Sequence, residues 1–328
     1  MSATYLLSPE EILWKTLEAY GHDPKPIFFQ EGIDHDMFLK PGMRVSYRKV
    51  DNLWAKAAEL IEDQCFGLRA AEFWHPSHFN ALVYAWLASS TLRQALNRLA
   101  RYVHIISEET DTRLEDTTEG LTLTLSDSMH LPAHMDLTMA IIMFGCRLNY
   151  GAELNPVAVS FIHAEPSCAE KYLSYFNTPV NFSAKSDSLT LSAVDVDLRL
   201  PSGNPYLASI NDQVIIRYLA EFDREDVVHR VKAAIIDELP TGGVSDEKVA
   251  PMLNMSVRSL QRKLQQVDTT FHTLVDEVRL ELAEVYVHDP SISLNEIPFV
   301  LGFSEYSAFS RAFKRWTGNA PSEVRMLG

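Results

Sequence analysis

Between residues 245 and 316 the chain states one pattern twice, and few folds can accommodate it. In SDEKVAPMLNMSVRSLQRKLQQ (245–266), Ser245 is placed to cap a short helix that runs to Leu253. Asn254 follows, a residue that tolerates the left-handed backbone of a tight turn. Ser256 is placed to cap a second helix, with Leu260 and Leu264 one turn apart on its buried face. Val257, Arg258, Gln261, Arg262 and Gln265 are left on the other side. In SLNEIPFVLGFSEYSAFSRAFKRW (293–316), Ser293 takes the cap and Glu296 the capping-box position, Gly302 ends the short helix, and Ser304 is placed to cap the next. Ala308, Phe309, Ala312, Phe313 and Trp316 form its packing stripe. Tyr306, Ser307, Ser310 and Arg311 face outward, with Lys314 and Arg315 toward its end. The spacing predicts two helix-turn-helix units joined by one amphipathic helix, TFHTLVDEVRLELAEVYVH (270–288). At 1.5 Å per residue that spacer is roughly 28 Å long. One turn of B-DNA is about 34 Å, so the two second helices could enter successive major-groove segments.

Side-chain chemistry agrees with that geometry. Arginine and glutamine pair bidentately with guanine and adenine edges, which makes Arg258, Gln261, Arg262 and Arg311 the candidate base readers. Lys263, Lys314 and Arg315 suit phosphates, where a point charge suffices. The net charge of −15 opposes nucleic-acid binding. Distribution answers the objection. Residues 223–328 hold 12 Lys and Arg against 16 Asp and Glu, yet segments 256–266 and 306–322 contain no acid at all. The acids gather elsewhere, including Asp276, Glu277, Glu281 and Glu284 on the spacer helix.

The first 222 residues read as mixed α/β. Ser8, Pro9 and Glu11 announce a helix that Gly21 stops; residues 51–66 form a helix ending at Gly67; residues 91–109, 134–150 and 167–177 are further helices. LTLTL (121–125), VAVSF (157–161) and SLTLSAVDV (188–196) are strands. The aromatic cluster Phe73, Trp74, Phe79, Tyr84 and Trp86 reads first as core. The alternative is that Phe73, Trp74, Tyr84 and Trp86 line an apolar pocket for a small effector. PYLASINDQVIIRYLAEF (205–222) is a helix with an apolar seam of Leu207, Ile210, Val214 and Leu219, widened by Ile215, Tyr218 and Phe222. The seam packs on its own domain or pairs two chains. DREDVV resets the periodicity, so the reading places a first domain at 1–222, a linker at 223–228 and an all-α domain at 229–328.

Other classes are disfavoured. MSATYLLSPEEILWK lacks the basic-then-apolar build of a signal peptide, and no apolar run is long enough to span a membrane. Cys65, Cys146 and Cys168, without a CxxC pair, fit a reducing cytoplasm and no structural zinc. The histidine pairs 75/78 and 130/134 lack acidic or cysteine ligands at metal spacing, so no metal is expected. No GxGxxG, Walker, GxSxG or HExxH motif is present, so neither an enzyme nor a cofactor is indicated.

Residues 226–326 resemble the AraC/XylS-type DNA-binding domain. The resemblance rests on IPFVLGFSEYSAFSRAFKRWTGNAPSEVR and on MSVRSLQRKL. SSTLRQALNRLARYVHIIS and YFNTPVNFSAKSDSLTLSAVDVDLRLPSGNP resemble the ligand-binding domain of the arabinose-binding-domain-like branch of that family. Two positions depart from the family pattern: Asn254 replaces a turn glycine, and Pro298 stands inside the short helix of the second unit. The resemblance implies an effector-binding and dimerising N-terminal domain and a seven-helix DNA-binding domain. It implies a cytoplasmic homodimer on double-stranded promoter DNA that activates, or sometimes represses, a nearby operon and works with RNA polymerase. The alternative is a regulator without a small-molecule effector, controlled by a protein partner or by its own abundance.

Overall fold

LTLTL alternates strictly, and it forms the centre of the longest strand in a computed structural model that describes residues 3–129, 131–222, 227–288 and 292–327. The chain divides between Gly203 and Asn204. The first unit runs β1 (Thr4–Leu6), α1 (Glu11–Ala19), α2 (Lys25–Gln30), β2 (Arg44–Ser46), α3 (Tyr47–Leu60), α4 (Phe66–Ala70), α5 (Asn80–Leu87), α6 (Leu92–Tyr102), β3 (Thr110–Asp116), β4 (Gly120–Asp127), α7 (Pro132–Tyr150), β5 (Ala158–Ser160), α8 (Ala169–Phe176), β6 (Val180–Asn181), β7 (Asp187–Ser192) and α9 (Ala193–Asp197). Strands β1 and β2 form an antiparallel pair, and the main sheet has the order β3-β4-β7-β5-β6, with only β5 and β6 parallel. Leu121, Leu123 and Leu125 of β4 and Leu189 and Leu191 of β7 bury the inner face. The mixed α/β expectation holds.

Several local readings are corrected. The helix expected over 51–66 is α3 and α4, separated by a turn; Gly67 lies inside α4 rather than ending a helix. Ser8 does not cap α1, because its hydroxyl donates to the carbonyl of His78 (2.6 Å). The strand expected over 188–196 stops at Ser192, whose hydroxyl accepts from the Asp195 amide (3.1 Å) and starts α9. Helix 91–109 ends at Tyr102. Strand β3 was not anticipated, because TDTRLED is polar and pairs at the sheet edge. Cys65 and Cys168 are joined as a disulfide across a separation of 103 residues, which the expectation of a reduced chain did not foresee. Cys146 is a buried free thiol, pushed up to about 12 by burial.

The second unit is helical: α10 (Pro205–Phe222), α11 (Val227–Glu238), α12 (Asp246–Met252), α13 (Val257–Gln266), α14 (Phe271–His288), α15 (Ile297–Val300), α16 (Tyr306–Thr317) and α17 (Pro321–Leu327). Helix α10, read from sequence as the end of the first domain, packs against α11 and α14. Of the linker read at 223–228, residues 223–226 lie outside the described residues, and Val227 and Val228 already belong to α11. The seam on α10 divides. Ile215 and Leu219 are buried, Tyr218 is half-buried, and Leu207, Ile210 and Val214 are exposed. The Phe222 side chain lies outside the described residues.

Candidate nucleic-acid interface and effector cavity

The two helix-turn-helix units form where the pattern placed them. Asn254 takes φ 56° and Gly302 φ 70°, the left-handed turns that end α12 and α15. The Ser256 hydroxyl accepts from the Ser259 amide (3.2 Å) and caps α13. Glu296 accepts from the Ser293 amide (2.9 Å), one half of a capping box. Three expected caps are absent. Ser245 makes no side-chain cap, α15 starts after Glu296 rather than Ser293, and α16 starts after Glu305 rather than Ser304. Pro298 is at the start of α15, not in its interior, so its missing N–H removes no helix bond.

Leu260 and Leu264 bury one side of α13, and Phe309, Ala312 and Phe313 one side of α16. This leaves Arg258, Gln261, Arg262 and Gln265 exposed on α13, with Val257 and Lys263 half-buried at its edges. On α16, Ser307, Arg311, Lys314 and Arg315 are exposed, and Tyr306 and Ser310 are half-buried. Among the described residues no ion pair holds Arg258, Arg262, Lys263, Arg311 or Lys314. Three polar groups are held. Gln261 Nε2 donates to Asp246 (2.6 Å), Arg315 Nη2 to Asp276 (2.8 Å), and the Ser307 hydroxyl to Glu305.

The sequence reading missed the arginines that shape both turns. Arg230 of α11 donates to the Leu253 carbonyl at the end of α12 (3.2 Å). Arg279 of α14 donates to the Leu301 and Gly302 carbonyls at the end of α15 (2.9 and 3.0 Å) and stacks on Phe303. The sequence separation, 23 residues, is the same for Arg230 to Leu253 and Arg279 to Gly302. Each turn thus has its unsatisfied helix-end carbonyls filled by a cation from the preceding long helix. That common separation was the available signal.

A second candidate site is a cavity of ≈100 Å³ in the first unit. Trp74 and Trp86 line it, with Ile12, Leu82, Leu99 and Ile141 among the apolar wall. Phe73 and Tyr84, the other expected lining residues, are not in the wall; Tyr84 is 46% exposed. Sequence reasoning could not see that α7 supplies the opposite wall through His134, Leu137 and Ile141. Glu10 also lines the cavity, fully buried, and accepts from Trp54 Nε1 (2.9 Å). Burial pushes its carboxyl up to about 8, against which the indole hydrogen bond pulls only weakly. It is therefore protonated in the folded chain at neutral pH and ionised in the unfolded one. Its contribution is complete at low pH and is lost as pH rises from the ordinary carboxyl range through about 8. Urea unfolding should show stability falling by about 1.4 kcal/mol per pH unit in that window from this group. Glu10→Gln should remove this part of the slope, and an unchanged slope would assign it elsewhere.

Residues 21–200 match the family model described as the arabinose-binding domain of AraC transcription regulator, N-term, and residues 249–326 match a helix-turn-helix domain. The chain is an AraC-family transcriptional regulator. It is 27% identical over 322 residues to the ornithine utilization regulator of Pseudomonas aeruginosa, covering 96% of this chain and 94% of that protein. It is 28% identical over 325 residues to the HTH-type transcriptional regulator VirS of Mycobacterium tuberculosis, covering 94% and 92%. The crystal structure of the transcriptional regulator CdpR from Pseudomonas aeruginosa shares its fold, with a TM-score of 0.51 at 17% identity over 96% of this chain and 98% of that one. As an AraC-family regulator it is a DNA-binding protein, not an enzyme, with an N-terminal ligand-binding domain. No helix among its described residues is long and apolar enough to cross a membrane. Asp63, Cys65 and Cys168 lie close enough to share an ion. In the regulator as described, however, the two sulfurs are bonded to each other, and Asp63 accepts from Tyr20 (2.7 Å) and Lys171 (2.9 Å).

Proposed function

We propose that the chain is a cytoplasmic, ligand-responsive activator that binds promoter DNA as a homodimer and works with RNA polymerase. The observation that carries this reading is the pair of acid-free faces on α13 and α16, whose Arg258, Arg262, Arg311 and Lys314 are exposed and have no ion-pair partner among the described residues. In this reading Arg258, Gln261 and Arg262 contact bases from α13, flanked by Val257 and Gln265. Tyr306, Ser307, Ser310 and Arg311 do so from α16. Lys263, Lys314 and Arg315 hold phosphates. The cavity beside Trp74 and Trp86 takes the effector. Genome-wide mapping of sites bound by the purified protein tests the reading, because the genes beside those sites name the operon and point to the effector.

Dimerisation through α10 is supported by its exposed stripe. Leu207 and Val214 are 48% and 47% exposed at a spacing that keeps them on one face with Ile210. Water contact over such a stripe is unfavourable by about 25 cal/mol per Å² of apolar surface, which a second copy would recover. Val214→Asp should give a folded monomer by light scattering. Its affinity for a two-half-site operator should fall far more than that for one half-site. A dimer that persists excludes this helix as the interface. Leu219, only 4% exposed, belongs to the core and is not part of that stripe.

A further inference from the structure

The cavity in the first unit carries more chemical information than its volume. Its lining contains no lysine or arginine, so an anionic ligand would be buried without a countercharge. Its polar groups are mostly satisfied from within. Asp127 accepts from Thr110 (2.5 Å), from the Met129 amide (2.7 Å) and from Tyr47. Glu10 is held by Trp54, and Thr138 donates to the His134 carbonyl (2.9 Å). Three buried polar atoms of its lining residues have no partner: Trp86 Nε1, Trp74 Nε1 and His134 Nδ1. Trp86 and His134 are each only 5% exposed, so solvent does not satisfy them. Burial also lowers the His134 pKa, which keeps its ring neutral.

We propose that this cavity binds a small neutral molecule with an apolar body and one uncharged hydrogen-bond acceptor, such as a ketone, ester or lactone carbonyl, which accepts from the indole N–H of Trp86. The proposal rests on the reading of this cavity as the effector site and specifies its ligand class. A buried donor left without a partner is destabilising, and a ligand carbonyl that accepts from it relieves this, at about tenfold in affinity. A sugar meets the opposite balance. Each of its hydroxyls must find partners, and the lining residues leave only three unpartnered N–H or ring-nitrogen atoms and the O–H of the neutral Glu10 carboxyl for the whole molecule. The domain therefore departs from the sugar chemistry in its family description. The cavity, ≈100 Å³, is smaller than the roughly 150 Å³ apolar cavity that admits benzene, which sets the ligand body below one six-membered ring, at about four carbons.

The test uses the full chain and four probes: cyclobutanone, methylenecyclobutane, butyrate and L-arabinose. Methylenecyclobutane keeps the shape of cyclobutanone and replaces its oxygen with carbon. Binding is read by tryptophan fluorescence and by the shift in melting temperature. Cyclobutanone should bind about tenfold more tightly than methylenecyclobutane. In Trp86→Phe that preference should shrink to about twofold or less, while methylenecyclobutane binding stays near its original value. Trp74→Phe provides a second variant if Trp86→Phe melts early, and it should leave most of the preference in place. Equal binding of the two neutral probes overturns the hydrogen bond but leaves an apolar effector site. Tighter binding of butyrate overturns neutrality, and binding of arabinose alone overturns the apolar class. If none of the probes binds, the cavity is not the effector site, and the underlying reading fails with it.

Discussion

Gly67→Ala should destabilise the first unit by more than about 3 kcal/mol. A Cβ at this position would lie 2.1 Å from the Ala133 carbonyl oxygen and 2.8 Å from its carbonyl carbon and Cα. These are backbone atoms in the first turn of α7, the helix that forms one wall of the cavity beside Trp74 and Trp86. No rotamer change relieves the contact; α4 and α7 must separate, and with them Phe66, Leu68 and His134 lose their packing. For a unit of this size the loss corresponds to a fall in melting temperature of roughly 6–12 °C. Gly21→Ala is the control. Gly21 also has a positive φ, 80°, but nothing lies within 4 Å of its added Cβ, so the cost should stay near about 1 kcal/mol. Equal melting of the two variants would mean that α4 and α7 are not in this close contact.

The double variant Arg258→Ala/Arg262→Ala should lose at least about thirtyfold in affinity for a mapped operator. Each bidentate base contact contributes about 1–3 kcal/mol of discrimination, and together they set that lower bound. The two arginines are one turn apart, so any coupling between them shows as a departure from the sum of the single losses. Both side chains are exposed, while Leu260 and Leu264 hold the helix in place, so the melting temperature should stay unchanged. Gln261→Ala should cost less, because its amide must first leave Asp246. Fluorescence anisotropy on operator and scrambled DNA measures the effect. A loss equal on both would show that the arginines hold phosphates and do not read bases.

The helical half of the fold was the more legible. Its elements are set by local chemistry: Ser256 caps, Glu296 holds the Ser293 amide, Asn254 and Gly302 turn, and the leucines and phenylalanines of α13 and α16 mark the buried side. Candidate contact residues followed, since a helix face is fixed by periodicity alone. What depended on distant partners was not legible. Arg230 and Arg279 look like any surface arginine until the carbonyls 23 residues later are in place. The polar β3 becomes a strand only because β4 pairs with it. Gly67 resembles a helix stop and is instead a close contact with a helix more than sixty residues away. The cavity escaped for the same reason. Trp74 and Trp86 were visible as aromatics, but α7 makes them a wall, and Tyr84, two residues from Trp86, faces water.

The arginines that close the turns change how this regulator meets DNA it does not recognise. Random sequence binds proteins through counterions released from phosphates, one for each cation that approaches. Of the 12 lysines and arginines after residue 222, Arg230, Arg279 and Arg325 hold backbone carbonyls, and Lys232 pairs with Glu277 at 2.6 Å. On the two recognition helices, those left for phosphates are Arg258, Arg262, Lys263, Arg311, Lys314 and, once it leaves Asp276, Arg315. If these six hold phosphates, the two helices of one chain release about five counterions, and the acids elsewhere in the chain oppose closer approach of the duplex. Grip on arbitrary genomic sequence is correspondingly weak. On the proposed contacts the protein should leave such sites quickly, and its residence at a promoter should be set by the few side chains that meet the right bases.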